Sequence, residues 1–458
     1  EGSHTLTVTV DDESLVAPVM GQAQFTVAHP EQVIYVVDSL KDSIEIDGEL
    51  TLREALEAAN LNAVAGDAVA GNANDVDIIR FDSSLEGGTI HVSSELTITD
   101  YVSIECLDAD GLRIDADGNG RVIRIAQDAE ASIAGVVITG GNSSSGGGIN
   151  NNGLLVLADT TLSGNSSSGN GGGVYNDYYG TLLLTNTLLS GNEAVSYGGA
   201  IYNRRTITTV DTTVSKNSAQ SGGGLCSYAG GTSTLINTVV SSNYSQSGGG
   251  IHHYTGGAMM LTNSVVSGNL AESDGGGIFS AGTTTSQTEL TLTNTSISGN
   301  VAYGSGGGIF CNGDAVLAMH NTMVALNEAE DSGPDVDGLV EPSSSHNFIG
   351  SVSGLSGISD GLNGNIVGGG PPMLSVEAEN GRILYYPLSG SPLIDAGDNS
   401  LTHGDTDVLG NPRILSDEVD IGAIEGTYDL PVSMSLISPS EGDILQASLS
   451  EPIEINVV

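Results

Sequence analysis

Residues 154–165 read LLVLADTTLSGN, and close variants of this stretch recur through the middle of the chain. Residues 181–192 read TLLLTNTLLSGN, and residues 258–269 read AMMLTNSVVSGN. In each copy aliphatic residues alternate with other residues, which turns one side of a short strand toward an interior. No helical stretch separates the copies, so helical crossovers between the strands are not expected. The sequence therefore predicts a solenoid of short strands.

Three landmarks recur in the same order, at intervals of 24 to 31 residues for the first of them. The first, an aliphatic residue after Gly-Gly-X, occurs at Ile149, Val174, Ile201, Leu225, Ile251, Ile278 and Ile309. The second, a polar residue that ends an aliphatic strand, occurs at Asp159, Asn186, Asp211, Asn237, Asn263, Asn294 and Asn321. The third, the asparagine of Ser-Gly-Asn or a variant, occurs at Asn142, Asn165, Asn192, Asn217, Asn243, Asn269, Asn300 and Asn327. A unit of this length with two or three strands fits one coil of a right-handed parallel β-helix, whereas propeller blades run to about 40–45 residues.

The asparagine landmarks are expected to be structural. Successive coils of a β-helix lie ~4.8 Å apart, so each position recurs as a column of like residues. An asparagine at a corner can adopt the left-handed backbone conformation and hydrogen-bond to its neighbours above and below. We therefore predict a structural ladder of Asn165, Asn192, Asn217, Asn243, Asn269, Asn300 and Asn327.

The charge of the chain excludes several classes of function. The 458 residues include 11 Lys and Arg against 56 Asp and Glu, for a net charge of −45. Nucleic-acid binding and attachment of a helix to an anionic bilayer both need a basic face, so neither is expected. No apolar run approaches the ~18–20 residues that span a bilayer, and membrane insertion is not expected. The cysteines Cys106, Cys226 and Cys311 follow no metal-binding spacing and are predicted to be buried small hydrophobes.

The patterns divide the chain into five segments. They are 1–30, the last strands of an immunoglobulin-like module; 31–140, an N-terminal cap and irregular first coils; 141–330, the regular coils; 331–428, the C-terminal coils and cap; and 429–458, the first strands of a second immunoglobulin-like module. Within the cap, Thr51 and Glu54 form a capping-box signature. The short helix that follows, with Leu52, Leu56 and Ala59 on its apolar side, is expected to cover the open end of the solenoid.

Two stretches resemble modules of bacterial surface proteins. LTLREALEAAN from residue 50, followed by DIIRFD, resembles the N-terminal module named for its CSLREA sequence, from which this chain departs at the Cys and Ser positions. DVDG (335–338), HNFIG (346–350) and SPLIDAGD (391–398) resemble the C-terminal region called choice-of-anchor Q. The Gly-Gly-Ile and Ser-Gly-Asn repeats are similar to those of chlamydial-type polymorphic outer-membrane adhesins. These resemblances imply an extracellular right-handed β-helix and imply no activity.

The two ends of the sequence resemble complementary halves of one sandwich module. A half sandwich cannot bury its apolar face alone. Either the sequence is a segment of a tandem polyprotein, or the strands of 429–458 in one copy complete those of 1–30 in the next by strand addition. Such a head-to-tail contact does not close and would build an open filament, so the expected partner is another copy or a neighbouring tandem module.

A polysaccharide-active enzyme, of the lyase or hydrolase type, is the alternative function, because right-handed β-helices include such enzymes. An inverting hydrolase needs two carboxylates ~6.5–9.5 Å apart in one cleft. Residues 140–327 contain eight acidic residues that do not recur in phase on one wall, so we predict no enzymatic activity and no catalytic residue. His252 and His253, with Tyr254 and Tyr228 nearby, indicate either a carbohydrate-contacting patch or exposed turn residues, and a glycan is therefore a candidate partner.

Two kinds of ligand or modification site are weakly indicated. Asp108, Asp110, Asp115 and Asp117 are candidate ligands of Ca²⁺, the one candidate cofactor. Their spacing fails the EF-hand pattern, and a polar turn column is the alternative. Asn142, Asn165, Asn243 and Asn294 are glycosylation sequons. An asparagine buried in a ladder could carry no glycan.

Together these observations predict an extracellular structural or adhesive repeat protein, secreted or at the cell surface. Its β-helix would form a stiff rod within a filament or a giant tandem-repeat surface protein, linked head to tail through the terminal strands. The alternatives are the β-helix enzyme described above and a carbohydrate-binding adhesin.

Overall fold

A computed structural model describes residues 32–426 apart from 74, 108, 284–286 and 403. These residues confirm the predicted fold class, an all-β chain wound into a right-handed parallel β-helix with one short helix. The immunoglobulin-like strands predicted for 1–30 and 429–458 lie outside the described residues. No described helix is long and apolar enough to cross a bilayer.

A full coil contains four strands, whereas the sequence predicted two or three. Sheet 1 contains, in order, Ile34–Val37, Asp77–Phe81, Tyr101–Glu105, Glu130–Ala134, Leu154–Ala158, Thr181–Thr185, Thr206–Val210, Thr232–Ile236, Gly257–Thr262, Thr288–Thr293 and Ala315–His320. Sheet 2 contains Thr89–His91, Arg113–Asp115, Val137–Thr139, Thr161–Ser163, Leu188–Ser190, Thr213–Ser215, Val239–Ser241, Val265–Ser267, Ser296–Ser298, Met323–Ala325, Phe348–Ile349 and Ile366–Val367.

The other two sheets complete the coil. Sheet 3, the additional one, contains Asn142–Ser145, Ser166–Asn170, Glu193–Ala194, Ser218–Ser221, Tyr244–Ser247, Leu270–Ala271, Val301–Ala302 and Glu328–Ala329. Sheet 4 contains Leu96–Ile98, Ile123–Ile125, Ile149–Asn151, Val174–Asn176, Ile201–Asn203, Leu225–Tyr228, Ile251–Tyr254, Ile278–Ala281, Ile309–Asn312, Val336–Leu339 and Leu355–Ser356. Short 3-10 helices span Ser83–Leu85, Leu362–Gly364 and Asn399–Leu401.

Parallel pairing aligns like residues from coil to coil and builds the core. Ile149 lies between Ile123 and Val174 in sheet 4, and all three are buried. In sheet 1, Leu155 and Leu157 are fully buried, whereas the residues that alternate with them are partly exposed. The period-two alternation of the sequence therefore separates the inner from the outer side of each strand.

Two of the corners of each coil contain a residue with positive φ, and the residue type differs between them. All seven residues of the second landmark have φ between 46° and 49°, so they occupy the left-handed conformation at the corner between sheets 1 and 2. At the Ser-Gly-Asn corner it is the residue before the asparagine that has positive φ, as at Gly164 (65°) and Gly191 (67°). Lys216 and Leu326 take the same conformation, with φ of 58° and 62°, where glycine is absent. The left-handed conformation predicted for ladder asparagines therefore belongs to their preceding neighbours.

The helix Leu52–Leu61 begins at the capping box that the sequence predicted. The Thr51 hydroxyl accepts a hydrogen bond from the Glu54 amide (3.1 Å), and the Glu54 carboxylate accepts one from the Thr51 amide (2.9 Å). Leu52 and Leu56 are buried, and the helix packs against the first strands of sheets 1 and 4. Arg53 forms an ion pair with Asp42 (2.7 Å). The residues that resemble the CSLREA module thus fasten the helix to the first coils.

Beyond the last coils, the chain turns back along the side of the solenoid. An antiparallel hairpin of Leu374–Glu379 and Arg382–Pro387 packs against the outer face of sheet 2. Ser267 donates a hydrogen bond to the Ile383 carbonyl, and Asn263 donates one to the Thr406 carbonyl (3.0 Å). This contact buries Val239 and Val265, which would otherwise face solvent. The segment from the hairpin onward therefore covers a side wall, a position that the sequence did not predict.

The C-terminal segment contains a buried cluster of ionisable side chains. Arg413 pairs with Glu425 (3.2 Å), and both side chains are almost fully buried. Asp407 and Asp420 are also buried, and the Asp407 carboxylate accepts a hydrogen bond from the Glu425 amide (3.1 Å). Burial outweighs the nearby guanidinium and raises the pKa of Glu425 to about 8.

Candidate functional site

The outer face of sheet 4 carries a line of aromatic rings. In each short strand the first and third residues point inward, so the second is placed on the outer face. These second residues are Asn150, Tyr175, Tyr202, Cys226, His252, Phe279, Phe310 and Asp337 in consecutive coils. Tyr228 and Tyr254, one coil apart, lie two residues further along their strands.

The rings form a continuous chain of contacts along the solenoid axis. Centroids lie 5.2 Å apart for Tyr175–Tyr202, 6.3 Å for Tyr202–Tyr228, 6.0 Å for Tyr228–Tyr254, 5.9 Å for His252–Tyr254, 4.7 Å for His252–Phe279 and 5.2 Å for Phe279–Phe310. We call these seven rings the aromatic stripe. Such distances are typical of favourable offset or tilted aromatic pairs. The stripe crosses six consecutive coils, a length of about 24 Å at ~4.8 Å per coil.

Most of the stripe is partly exposed and uncharged. Tyr175, Phe279 and Phe310 are half-buried, whereas His252 is 7% exposed beneath its neighbours. Burial lowers the pKa of His252 to about 4, with a further contribution from His253, so the imidazole is neutral at neutral pH. Burial also raises the pKa of the Cys226 thiol under the rings. These environments keep the middle of the stripe free of charge at neutral pH.

The two ends of the stripe carry polar groups. At the first end, the Arg204 guanidinium lies 3.4 Å from the Tyr175 hydroxyl and 3.2 Å from the Asp177 carboxylate. At the other end, Phe310 borders a surface depression of about 440 Å³ lined also by Asn312, Asp337 and Ser356. A depression of this volume is within the range of small-ligand pockets. The site is therefore an apolar track with hydrogen-bonding groups at both ends.

The sequence identified part of this site and missed the rest. Tyr228, Tyr254 and His252 were singled out, and His252 does lie in the stripe. His253 points into the core and is 0% exposed, and neither histidine is in a turn, because both lie in the strand Ile251–Tyr254. The phenylalanines were missed, although each immediately follows the aliphatic residue of the first landmark. Reading that one position across all coils would have revealed the stripe.

The seven ladder asparagines form one buried column of hydrogen bonds at the corner between sheets 2 and 3. Asn243 is representative: its Oδ1 accepts from the backbone and side-chain amides of Asn217 (3.0 Å each). Its Nδ2 donates to the Val214 carbonyl and to Asn269 Oδ1 (3.0 Å each). The column ends at the buried Asp335, whose Oδ1 accepts from Asn327 (2.9 Å). A carboxylate suits this last position because only acceptors are needed there.

Asn142 does not belong to this column. In the parallel pairing Asn142 lies opposite Ser166, and it is the Gly141 amide that donates to Asn165 Oδ1 (3.0 Å). The register predicted for Asn142 was therefore wrong by one residue, because the Gly-Gly-Asn of this coil aligns its second glycine with the ladder. A second amide column, Asn151–Asn176–Asn203, runs inside sheet 4 and was not predicted.

The four glycosylation sequons differ in whether the fold leaves room for a glycan on the asparagine. Asn165, Asn243 and Asn294 are at most 2% exposed, whereas the Asn142 side chain is exposed. A glycan attaches at Nδ2, and this atom donates two hydrogen bonds within the ladder at Asn165 and at Asn243. Among the four sequons, Asn142 is thus the one whose placement in the folded coil leaves room for a glycan.

The acidic candidates come together only in part. Asp115 and Asp117 lie beside His91, and one ligand atom from each falls within 4.8 Å of the others. Asp110 is not in this group, and Asp108 lies outside the described residues. His91 Nδ1 is 2.8 Å from Asp117 Oδ2 and all three side chains are partly or fully exposed. A histidine nitrogen suits a transition metal better than Ca²⁺, which prefers oxygen ligands.

The three cysteines are buried, as predicted. In the described residues they form no disulfide, and burial raises the pKa of Cys311 to about 11. Cys106 and Cys311 belong to the core of the solenoid, whereas Cys226 is buried on the outer side of sheet 4, under the rings.

Comparison with known proteins identifies relatives of the repeat and of the fold. Residues 159–177 and 186–204 each match the Chlamydia polymorphic membrane protein repeat. These two matches lie in adjacent coils and cover a small part of the chain. The crystal structure of pectate lyase Pel9A is similar over 86% of this chain and 97% of that chain, with a TM-score of 0.50 and 14% sequence identity. At this identity the likeness shows the fold alone. No curated protein sequence matches the chain.

Proposed function

We propose that this chain is an extracellular structural and adhesive protein displayed at a cell surface, with the β-helix as a stiff rod. The observation that carries the proposal is the unbroken stacking of coils in register, from the first strands to the buried end of the asparagine ladder at Asp335. The matches at 159–177 and 186–204 to the polymorphic membrane protein repeat of Chlamydia support a surface, adhesin-like role. The resemblances to CSLREA and choice-of-anchor Q modules support the same location.

We further propose that the rod is one unit of a filament or of a tandem-repeat surface protein. The support is the resemblance of residues 1–30 and 429–458, in sequence, to complementary halves of an immunoglobulin-like sandwich. Strand addition between copies would satisfy both halves and produce an open, head-to-tail polymer. Self-association of this kind needs no ligand and no charged groove.

Electron microscopy of the purified full chain, without denaturation, tests the assembly. Filaments with a regular axial repeat are expected. Leu6→Asp with Val8→Asp, on one side of the alternating stretch HTLTVTV, should abolish them, whereas Thr7→Asp with Thr9→Asp is the matched control on the other side. Discrete short rods from the unmodified chain would overturn the assembly proposal.

Protease treatment of intact producing cells tests the location, since a surface protein is cleaved without lysis. An oligosaccharide-cleavage screen, including polygalacturonate with detection of unsaturated products, tests the enzyme alternative. We expect cleavage of the chain on intact cells and no turnover of any oligosaccharide. Turnover by the purified chain would replace the structural role with a catalytic one.

A further inference from the structure

We propose that the aromatic stripe binds a neutral, extended polysaccharide along the axis of the solenoid. This inference deepens the adhesive part of the proposed function by naming a surface and the chemistry of its ligand. The stripe lies on sheet 4, whereas the C-terminal segment covers sheet 2. Five of its seven rings therefore remain partly exposed, and Tyr202 and His252 are buried beneath them. The comparable outer residues Val239 and Val265 of sheet 2 are instead buried by the C-terminal segment.

The shape of the stripe selects an extended polymer. It is one or two rings wide, since Tyr197 lies beside Tyr202 and Tyr228 and since His252 and Tyr254 share a coil. It crosses six coils, over about 24 Å. A stable protein interface buries roughly 800 Å² on each partner, which a narrow band of mostly half-buried rings does not offer. A polymer chain that lies along the axis can instead contact one ring after another. The rise per coil is also close to the length of one pyranose unit in an extended chain.

The charge around the stripe selects a neutral ligand. The chain carries a net charge of −45, so an anionic polymer such as a polyuronate or a nucleic acid would be repelled. A cationic partner would favour the acidic flanks, because residues 140–327 account for only −5 of that charge. The stripe itself presents neutral rings, and its arginine, Arg204, is already paired with Asp177.

The chemistry of the side chains suits sugars. Tyrosine combines an apolar ring with a hydroxyl that can hydrogen-bond, and a pyranose likewise combines apolar C–H faces with hydroxyl edges. The tyrosines lie in the first four coils of the stripe, and the phenylalanines lie in the last two, beside the depression at Phe310. Asn312 and Ser356 in that depression offer further hydrogen-bonding groups for a terminal sugar unit.

Calorimetric titration of the full chain with hexasaccharides tests this inference. The neutral probes are cellohexaose, xylohexaose, mannohexaose and chitohexaose, and the anionic probe is hexagalacturonate. At least one neutral hexasaccharide should bind, its disaccharide should bind more weakly, and hexagalacturonate should not bind. No binding of any neutral probe, or equal binding of the anionic one, overturns the proposal.

Substitutions locate the binding on the stripe. Tyr254→Ala with Phe279→Ala removes the two partly exposed rings that contact His252. This double substitution should weaken binding at least tenfold, or ~1.4 kcal/mol. Phe279→Tyr keeps the ring and should retain binding. Tyr303→Ala is the matched control, because Tyr303 is 50% exposed and lies outside the stripe. Loss of binding in the control, or none in the double variant, would contradict the assignment.

Two further controls separate loss of binding from loss of folding, and glycan binding from cellular location. Circular dichroism and the thermal midpoint establish that each variant folds, and Phe310→Ala, at the exposed end of the stripe, is the milder substitution if the double variant does not. Binding to purified protein is independent of cellular location. If the chain is cleaved on intact cells but binds no glycan, the proposed role of the stripe is refuted and the surface location stands. If it binds a glycan but is not cleaved on intact cells, the surface location is refuted and the role of the stripe stands.

Discussion

Replacing Asn243 with alanine should destabilise the solenoid more than any comparable exposed substitution. The side chain is 1% exposed and makes four hydrogen bonds within the ladder. Alanine takes these bonds away from the Asn217 backbone amide and the Val214 carbonyl, both in the interior. It also leaves a void where the amide group was.

The size of the effect follows from the groups that lose their partners. An orphaned buried donor or acceptor costs about 1–3 kcal/mol. Two such groups therefore give about 2–6 kcal/mol, and we expect a loss near 4 kcal/mol. The side chains of Asn217 and Asn269 each keep another hydrogen bond, to the Leu189 carbonyl and from the Asn243 amide respectively, so they add little. A loss of this size is a large fraction of the roughly 5–15 kcal/mol that stabilises a typical domain.

Guanidinium unfolding followed by circular dichroism measures the global loss, and hydrogen exchange locates it. Exchange of the Asn217 amide should accelerate by about three orders of magnitude, since each 1.4 kcal/mol is a factor of ten. Asn142→Ala is the matched control, because Asn142 is exposed and lies outside the column. A loss below ~1 kcal/mol, or one no greater than in the control, would refute the view that the ladder stabilises the coils.

Three other substitutions test separate parts of the structure. Leu326→Gly should stabilise the chain by about 0.5–1 kcal/mol in guanidinium unfolding, because Leu326 is half exposed and its φ of 62° favours glycine; destabilisation would argue against strain at this corner. In the folded state the pKa of Glu425 is about 8, against 4.5 ordinarily, so its carboxyl keeps its proton to a higher pH than in the unfolded chain. The contribution of Glu425 to stability therefore declines as the pH rises between these two values. Between pH 5 and 8.5, the thermal midpoint of Glu425→Gln should decline less steeply than that of the unmodified chain. Asn186→Asp would place three carboxylates in one column with Asp159 and Asp211, at about 1 kcal/mol or less per adjacent pair; the loss should shrink in 1 M salt, and a salt-independent loss would exclude repulsion as its cause.

The coils were predictable because the contacts between neighbouring coils recur at a regular spacing in the sequence. Each column repeats one residue type, so the spacing of Ile149, Val174 and their equivalents marks the coils directly. The capping box at Thr51 and Glu54 was predictable for a similar reason, since all of its bonds are local. Sheet 3 was missed because some of its strands, such as NSSS at 142–145, are polar and others, such as Leu270–Ala271, have only two residues, too few to show an alternating pattern.

The missed features depend on contacts that leave no local pattern. Ser267 and Ile383 are separated by 116 residues, and nothing in either sequence indicates that the C-terminal segment lies on the side wall. The aromatic stripe was missed for another reason. Strands of three or four residues place only one or two side chains outward, so an outer column is visible only when the coils are aligned residue by residue.

The same stacking that orders the ladders also limits where charge can lie. A charged residue repeated in one column would face its copy ~4.8 Å away, with a repulsion near 1 kcal/mol even in water. The corner column avoids this by alternation: Asn186 donates to the Asp159 carboxylate, and Asn237 donates to Asp211 (3.1 Å). Columns of neutral residues are therefore the stable solution, and most of the negative charge falls in the flanks. A solenoid built this way has neutral walls, so its walls can recognise a partner through ring contacts and hydrogen bonds while the flanks repel polyanions.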